Sequence, residues 1–275
     1  MKKIALTSLL AVAAATGAHA ANAIDGNPLY MPTKGHFYSE TALSSHTENG
    51  TPYTLSEEFG YGVTDKLAVT VNTSLTENES FDFYAWNDLS LKATFRAFEK
   101  GAIVADVYGA YKAGDASVGN WGQIGALMYY PNFEDETEWF AKDTMFYTWT
   151  AGVRGGYMMG GLTLAGHVAY EYINTETFNW DEEGVHKWIV GLDAQYLLDN
   201  KWNLVGGVEY AGLTNDWFEN EGVWNGYFGV NYNIDATKYV GAYINGSLNH
   251  QGGDAGDEWE WNDGFGFGAK FGIQF

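Results

Sequence analysis

Three features of the sequence predict an all-β fold, a transmembrane antiparallel up-and-down β-barrel of 12 strands, with 14 strands as the alternative. The chain is rich in glycine, with 35 residues, and in aromatic residues, which make up 17 % of it. Apolar residues recur at every second position in runs of about ten residues, so each run has one apolar face and one small or polar face. The connections between runs alternate between short and long, as they do in barrels that cross a membrane.

The first 20 residues are organised as a secretory signal peptide. Lys2 and Lys3 give a basic start, Ile4 to Ala15 form an apolar or small-residue core, and Ala18-His19-Ala20 has the small-x-small cleavage pattern. The core is too short to cross a bilayer as a helix. We therefore expect an exported protein, with residues 1–20 removed and residues 21–275 forming a single barrel domain.

The mature chain is strongly acidic. Loss of Lys2 and Lys3 reduces Lys+Arg from 14 to 12 against 35 Asp+Glu, a net charge of 12 − 35 = −23. Nucleic acid is excluded as a partner, because phosphate binding requires basic patches. The chain has no cysteine, so neither disulfides nor thiol chemistry is expected.

The alternation is clear in five runs, taken in chain order. They begin at Leu67, Leu89, Leu162, Trp202 and Phe265, and in each the apolar residues fall on one face. Extended over the chain, the pattern predicts strands at 34–46, 52–63, 67–76, 87–98, 102–112, 144–157, 162–173, 186–197, 201–211, 222–234, 238–249 and 263–275.

The connections predict which strands are joined by tight turns and which by long loops. Short turns are expected at 64–66, 99–101, 158–161, 198–200 and 235–237. Long acidic loops are expected at 174–185, 213–222 and 250–262. Residues 121–130 also alternate, and residues 113–143 are either one long loop or hold two further strands. The second reading gives the 14-strand alternative.

Glu57 interrupts the pattern of the second strand. It falls on the outward face with Leu55 and Phe59, where a charge facing lipid is costly. A β-bulge near Glu57 and Glu58 would turn the carboxylate away from lipid, and the sequence predicts one there.

The C-terminus resembles those of Gram-negative outer-membrane barrels. The last strand alternates to the final residue, and its outward residues Phe271, Ile273 and Phe275 are similar to the C-terminal signal that the barrel-assembly machinery reads. The stretch Glu58-Phe-Gly-Tyr-Gly-Val-Thr-Asp-Lys-Leu67 is similar to a periplasmic hairpin of small outer-membrane transporter barrels. The resemblance implies location in the bacterial outer membrane, periplasmic termini, extracellular long loops, and outer-membrane lipid, periplasmic export factors and the assembly machinery as partners.

The inward face of the predicted barrel carries charged residues that are candidates for a constriction. They are Lys92, Arg96, Asp106, Arg154, His167, Glu171, Asp193 and Glu209. Placing the turn at Glu99–Gly101 puts Asp106 opposite Thr94, diagonal to Lys92 and Arg96. These charges either order ions and solutes in a pore or form an internal ion-pair network that satisfies buried charges.

The predicted loop segments carry about twenty acidic residues and a single lysine, Lys142; they are 47–51, 76–86, 113–143, 174–185, 212–221 and 250–262. They either concentrate cations at the barrel mouth or form a solvated outer surface. Carboxylates can bind Ca²⁺ or Mg²⁺, and the candidates are Asp181, Glu182, Glu183, Asp254, Asp257 and Glu258. No EF-hand spacing occurs, and we expect no other cofactor.

We expect no enzymatic activity. The sequence contains neither a Gly-x-Ser-x-Gly nor a His-Glu-x-x-His motif. His167 is the only histidine in the middle of a predicted strand, and its neighbour Arg154 disfavours a protonated imidazole. The sequence favours a passive channel for small solutes or ions. A structural or surface-interaction barrel with a plugged lumen is the second hypothesis, and a membrane-embedded hydrolase that uses His167 is the third.

Overall fold

The computed structural model describes residues 26–46, 53–78, 83–115, 145–174, 185–199, 201–214, 222–251, 258–261 and 265–275. Their strands are β1 (Phe37–His46), β2 (Thr54–Thr64), β3 (Leu67–Asn78), β4 (Phe83–Lys100), β5 (Ile103–Asp115), β6 (Met145–Met159), β7 (Leu162–Asn174), β8 (Val185–Leu197), β9 (Trp202–Thr214), β10 (Gly222–Asn233), β11 (Lys238–Gln251), β12 (Glu258–Trp261) and β13 (Gly266–Gln274). Within these ranges no helix is long and apolar enough to cross a membrane.

The strands form one closed antiparallel barrel. Consecutive strands pair from β1 to β11, and β13 closes the barrel by pairing with both β11 and β1. The short β12 pairs with the last residues of β11, beyond the part of β11 that pairs with β13. The wall therefore has 12 strand positions, and the twelfth is made of two pieces. The predicted fold class is confirmed.

The 14-strand alternative is wrong. β5 pairs directly with β6 along its whole length, from Ile103 opposite Tyr157 to Asp115 opposite Met145. Because the other edge of β5 is taken by β4, no further strand fits between β5 and β6. The segment 121–130 lies outside the described residues.

The predicted strand bounds lie within about four residues of the observed ones, and most strands run further than predicted. β4 continues to Lys100 and β6 to Met159, while β9 and β11 extend beyond the predicted 211 and 249. The first strand begins at Phe37 instead of residue 34, because Gly35 has a φ of 82° and turns the preceding chain toward the barrel interior.

The outward face is apolar, with aromatic residues near both ends. At the end with the tight turns, here called the turn end, Phe37 stacks on Tyr61 with ring centroids 4.5 Å apart. At the opposite loop end, Tyr170 packs against Trp188 at 4.9 Å. Between the two ends, outward side chains such as Leu192 are strongly exposed, as expected for a wall that faces lipid.

The tight turns are stabilised locally. Gly101 and Gly160 have φ angles of 61° and 58°, a conformation that glycine adopts without a side-chain penalty. In the turn after β8, the Asp199 carboxylate accepts hydrogen bonds from the backbone N–H groups of Trp202 and Lys201, each at 2.7 Å, and these bonds lower the pKa of the Asp199 carboxyl.

The bulge predicted at Glu57 is absent. Glu57 lies opposite Thr41 on one side and Thr73 on the other, in continuous register, and the irregularity in this hairpin falls at Gly62–Thr64. The carboxylate therefore stays on the outward face, where the hydroxyls of Ser39 and Thr41 donate hydrogen bonds to it.

Candidate functional site: the lumen

The candidate site is the inward face of the barrel. The eight predicted lumen residues all lie at inward positions of their strands, and all are buried or half-buried. The alternation also turns Glu58, Asp88, Lys112 and Lys270 inward, and the structure adds Glu40 on β1 and Lys187 on β8. Both follow the strand alternation, which could have identified them.

At the turn end of the lumen, Asp106 holds two arginines together. Its carboxylate accepts hydrogen bonds from Arg96 Nε at 3.0 Å and from Arg154 Nε at 2.7 Å, and its side chain is fully buried. The predicted position of Asp106 opposite Thr94 is wrong. A register shift between Arg96 and Phe98 puts Asp106 directly opposite Arg96, and the turn falls one residue later, at Gly101 and Ala102.

The two arginines also bind the chain that precedes β1. Arg96 Nη2 donates to the carbonyl oxygen of Leu29 at 2.7 Å, and Arg154 donates to those of Pro28 at 3.3 Å and Tyr30 at 3.0 Å. Three consecutive carbonyl groups are thus held by charge-assisted hydrogen bonds. Residues 26–33, here called the N-terminal segment, therefore occupy the turn end of the lumen.

The N-terminal segment also makes apolar contacts inside the barrel. Leu29 is 2 % exposed and packs with Val104 and Ala165 of the wall. Gly26 lies so close to Val205 on the other side of the lumen that a Cβ at Gly26 would be 3.6 Å from the Val205 Cβ. The position of this segment could not be predicted from the sequence, because a short stretch with two prolines gives no periodic signal.

Entry of the N-terminal segment depends on a close approach to β2. Gly62 N–H donates to the His36 carbonyl at 3.0 Å, and Gly35 N–H donates to the Gly62 carbonyl at 2.8 Å. A side chain on Gly62 would overlap the carbonyl of Thr33. The absence of a side chain at Gly62 therefore allows the chain to cross the rim and fold inward.

His167 lies between two carboxylates on neighbouring strands. Its Nδ1 is 3.2 Å from Asp193 Oδ2, and its Nε2 is 3.1 Å from Glu209 Oε2. Tyr227 donates a further hydrogen bond to Asp193 at 2.9 Å. Arg154 lies opposite His167 in the register, but its guanidinium binds Asp106. The expected repulsion from Arg154 is therefore opposed by two nearby carboxylates.

The other lumen charges are also compensated within the wall. Glu171 Oε2 is 2.7 Å from Lys187 Nζ, and Glu171 also accepts from Thr150 at 3.2 Å. Asp88 pairs with Lys112 at 2.7 Å. These contacts favour the ion-pair network over a ring of uncompensated charges.

On the side of the lumen near the seam between β1 and β13, tyrosines take part in the network. Tyr38 donates to Glu58 at 2.6 Å, and Glu40 is bonded to both Tyr239 and Lys270. Lys92, predicted to lie close to Asp106, instead has its Nζ 4.4 Å from the centre of the Tyr108 ring. Lys92 is thus held at the wall by a cation–π contact.

Six inward rings lie directly opposite a glycine on the neighbouring strand. The pairs are Tyr38 with Gly60, Tyr108 with Gly152, His167 with Gly191, Tyr227 with Gly207, Tyr239 with Gly272 and Tyr243 with Gly268. In each pair a Cβ on the glycine would overlap the ring. Each ring therefore lies along the wall above a glycine and does not project across the lumen.

The acidic loop candidates fall mostly outside the described residues. Asp181, Glu182, Glu183, Asp254 and Asp257 lie there, and Glu258 is the first residue of β12. Among the residues that the structure describes, no group of three or more acidic, histidine or cysteine side chains has the geometry of a metal site. Loop binding of Ca²⁺ or Mg²⁺ stays a prediction.

The residues of the predicted assembly signal complete the barrel wall. Phe271 and Phe275 are outward and exposed, and Ile273 lies opposite Ser39. Phe275 exchanges backbone hydrogen bonds of 2.9 and 3.2 Å with Phe37. The last residue thus closes the ladder between the first strand and the last.

Comparison with known proteins supports the class of fold. No family model matches the chain, and no curated protein matches it. Among solved structures, the NanC porin aligns over 86 % of this chain and 98 % of its own, with a TM-score of 0.55 and 8 % identity. The KdgM porin aligns over 86 % and 99 %, with a TM-score of 0.52 and 7 % identity.

A third neighbour is the translocator domain of the autotransporter NalP from Neisseria meningitidis. It aligns over 99 % of both chains, with a TM-score of 0.51 and 11 % identity. Identities this low establish the fold alone. The chain has the fold of a bacterial outer-membrane β-barrel, and the resemblance inferred from its sequence is confirmed.

Proposed function

We propose that this protein is an outer-membrane channel for small polar solutes or ions, closed at its turn end by the N-terminal segment. The observation that carries the proposal is the position of the inward rings. Because they lie flat above glycines, these six inward rings do not project across the lumen. The turn end is occupied by a terminal segment, which can leave without unfolding the wall.

The chemistry of the lumen supports a polar solute. Hydroxyl, amide and charged groups line it, and the charges are paired within the wall, so the lumen itself exerts little net selection by charge. We propose that the long acidic loops face the cell exterior, that both termini are periplasmic, and that cation preference arises at the acidic mouth. Two neighbours in fold are named as porins, which is consistent with a channel.

A structural or surface-interaction barrel with a closed lumen is the second candidate. It is favoured by the hydrogen bonds from Arg96 and Arg154 to the N-terminal segment, because such bonds would hold the segment in the lumen permanently. We propose a packing role for His167, because its contacts to Asp193 and Glu209 account for both ring nitrogens.

The two candidates differ in what happens when the N-terminal segment is removed. The test compares single-channel conductance of the refolded protein with that of a variant lacking residues 22–33, in planar bilayers with a salt gradient. A channel predicts rare openings for the full-length mature chain, frequent cation-selective openings for the deletion, and the same heat-modifiable gel mobility for both. If neither protein conducts ions although both barrels are folded, the result would support the permanently closed barrel.

A disulfide lock provides the matched control. Since the chain has no cysteine, the double variant Gly26→Cys/Val205→Cys holds a single engineered pair. A Cβ at Gly26 would lie 3.6 Å from the Val205 Cβ, within the range that a disulfide requires. The φ of 82° at Gly26 and the approach of that Cβ to Asn231 Nδ2 at 2.8 Å add strain, so the folded state of the double variant is checked first by heat-modifiable gel mobility. Oxidised protein should stay closed and reduction should restore wild-type openings, whereas the single variant Val205→Cys should not respond to reductant.

A further inference from the structure

One sector of the lumen wall, centred on β10 and β11, is lined by amides and tyrosines instead of charges. β10 contains no Asp, Glu, Lys or Arg, and β11 contains only Lys238, which pairs with Asp235 at an exposed turn. The flanking strands β9 and β13 each carry a lumen charge, Glu209 and Lys270 respectively. Six inward residues of this sector, one of them on the edge of β9, are here called the amide strip: Asn203, Asn225, Asn231, Asn245, Tyr227 and Tyr243.

The amide strip follows the barrel axis. Asn225 and Asn231 are six residues apart on β10, which is about 15 Å along the axis for a rise of about 3.3 Å per residue and a tilt of about 40°. Between them, Tyr227 lies directly opposite Asn245 of β11. At the turn end, a Cβ on Gly26 would be 2.8 Å from Asn231 Nδ2. The strip therefore extends from the loop-end half of the lumen down to the N-terminal segment.

Several amide atoms of the strip have no partner within the protein. Asn203 Nδ2 and the Oδ1 atoms of Asn225 and Asn245 are buried and form no hydrogen bond with the described residues. Leaving a buried polar atom without a hydrogen bond is costly. The χ2 torsion of asparagine has a broad energy minimum, so each amide can be turned toward a molecule in the lumen. These amides are therefore suited to bind a solute.

The two tyrosines of the strip add flat aromatic faces. Tyr227 and Tyr243 are half-buried and lie against Gly207 and Gly268 of the neighbouring strands, so one face of each ring covers the wall and the other is turned to the lumen. Such a face packs against the C–H bonds of a solute without any need for charge. Asn245, opposite Tyr227, places an amide beside this face.

We propose that the amide strip binds a neutral polyhydroxylated solute, a sugar or polyol. The proposal rests on the channel function and names the class of solute. An amide presents a donor and an acceptor side by side, which match two neighbouring hydroxyl groups. None of the six side chains carries a charge, and the nearby carboxylates of Asp193 and Glu209 contact His167. An anionic solute therefore finds no counter-charge on the strip.

The test measures binding directly, by saturation-transfer NMR on the refolded variant lacking residues 22–33. The probes are glucose and glucuronate, which has the same ring with a carboxylate in place of the hydroxymethyl group. Glucose should bind, and glucuronate should bind several-fold more weakly. Asn245→Leu should weaken glucose binding by about five-fold, as expected for the loss of one hydrogen bond. Asn72→Leu is the matched control, because Asn72 is an inward amide on β3, four strand positions from β11, and should leave binding unchanged.

Substitutions of Tyr227 separate the ring from its hydroxyl. Tyr227→Phe removes only the hydroxyl that bonds to Asp193 and should retain glucose binding, whereas Tyr227→Leu removes the ring and should weaken it. Heat-modifiable gel mobility checks that every variant is folded.

Three results would overturn the proposal: no saturation transfer to glucose, equal binding of glucuronate, or equal effects of Asn245→Leu and Asn72→Leu. Glucose binding by a variant that conducts no ions would support the strip and contradict the channel. Conductance without glucose binding would support the channel and contradict the strip.

Discussion

At the scale of single residues, Asp106 shows how the barrel tolerates buried charge. Its side chain is inaccessible to solvent, yet both oxygens accept hydrogen bonds from arginines on two neighbouring strands. The same arginines bind the carbonyl groups of the N-terminal segment. The Asp106 carboxylate therefore orients both guanidinium groups toward that segment. A network of this kind is costly to disturb at one member, because the remaining charges lose their partner.

We expect Asp106→Asn to lower the free energy of unfolding by about 3–5 kcal/mol, because Arg96 and Arg154 would face each other without a counter-charge. Urea unfolding of the refolded barrel in lipid vesicles measures the change. Asp235→Asn, in an exposed turn, is the matched control and should have a much smaller effect. A loss for Asp106→Asn no larger than that of the control would show that the network contributes little to stability.

At the scale of strands, the pairing of inward rings with glycines explains part of the unusual composition. A ring can lie flat on the wall only where the neighbouring strand has no side chain in its path. The register sets this condition, since Tyr108 lies directly opposite Gly152 and His167 directly opposite Gly191. The inward glycines therefore determine how much of the lumen the rings occupy.

Gly152→Ala should force the Tyr108 ring away from the wall and into the lumen. The displaced ring should narrow the channel and lower its conductance, and overpacking should cost about 1–3 kcal/mol of stability. Single-channel recording of the variant, made without the N-terminal segment, measures the first effect. Gly226→Ala is the control, because its methyl group would point outward and come no nearer than 3.9 Å to its neighbours, an ordinary van der Waals contact. Equal conductance of the two variants would contradict the role assigned to the rings.

At the scale of the whole molecule, the barrel depends on the seam between its two terminal strands. β1 and β13 pair over nine residue positions, from Tyr38 opposite Gln274 to His46 opposite Gly266. The backbone bonds between Phe37 and Phe275 continue this ladder to the last residue. Closure of the wall therefore requires the chain to keep its strand pattern to its end.

Deletion of Phe275 separates two roles of the last residue. In vitro, it removes two backbone hydrogen bonds, and we expect a loss of about 1–3 kcal/mol in the free energy of unfolding. In cells, we expect a larger loss of assembled barrel, because the proposed assembly signal is removed as well. Refolding yield and the amount of barrel in outer-membrane fractions measure the two effects. An equal fall in both would indicate a purely structural role, and Phe275→Tyr should preserve both.

Much of the fold could be predicted from local patterns. Period-two alternation identified the wall strands, and the tight-turn residues set their ends to within a few positions. The inward charges were also identified correctly, because facing follows directly from alternation within one strand. Their partners were not, since the turn falls at Gly101 and Ala102 instead of at 99–101, and the bulge at Arg96–Phe98 then shifts the register by one residue. Together these two differences put Arg96 in place of Thr94 opposite Asp106.

Alternation of apolar and polar residues, together with the aromatic strand at the C-terminus, was sufficient to determine a membrane-type barrel, because the two faces of each strand must meet lipid and lumen. Contacts between segments distant in sequence decided the rest. Only the tertiary structure placed the N-terminal segment on Arg96 and Arg154, paired His167 with two carboxylates, and brought the hydroxyls of Ser39 and Thr41 to Glu57. These contacts depend on register and on chain crossing, which carry no periodic signal in the sequence.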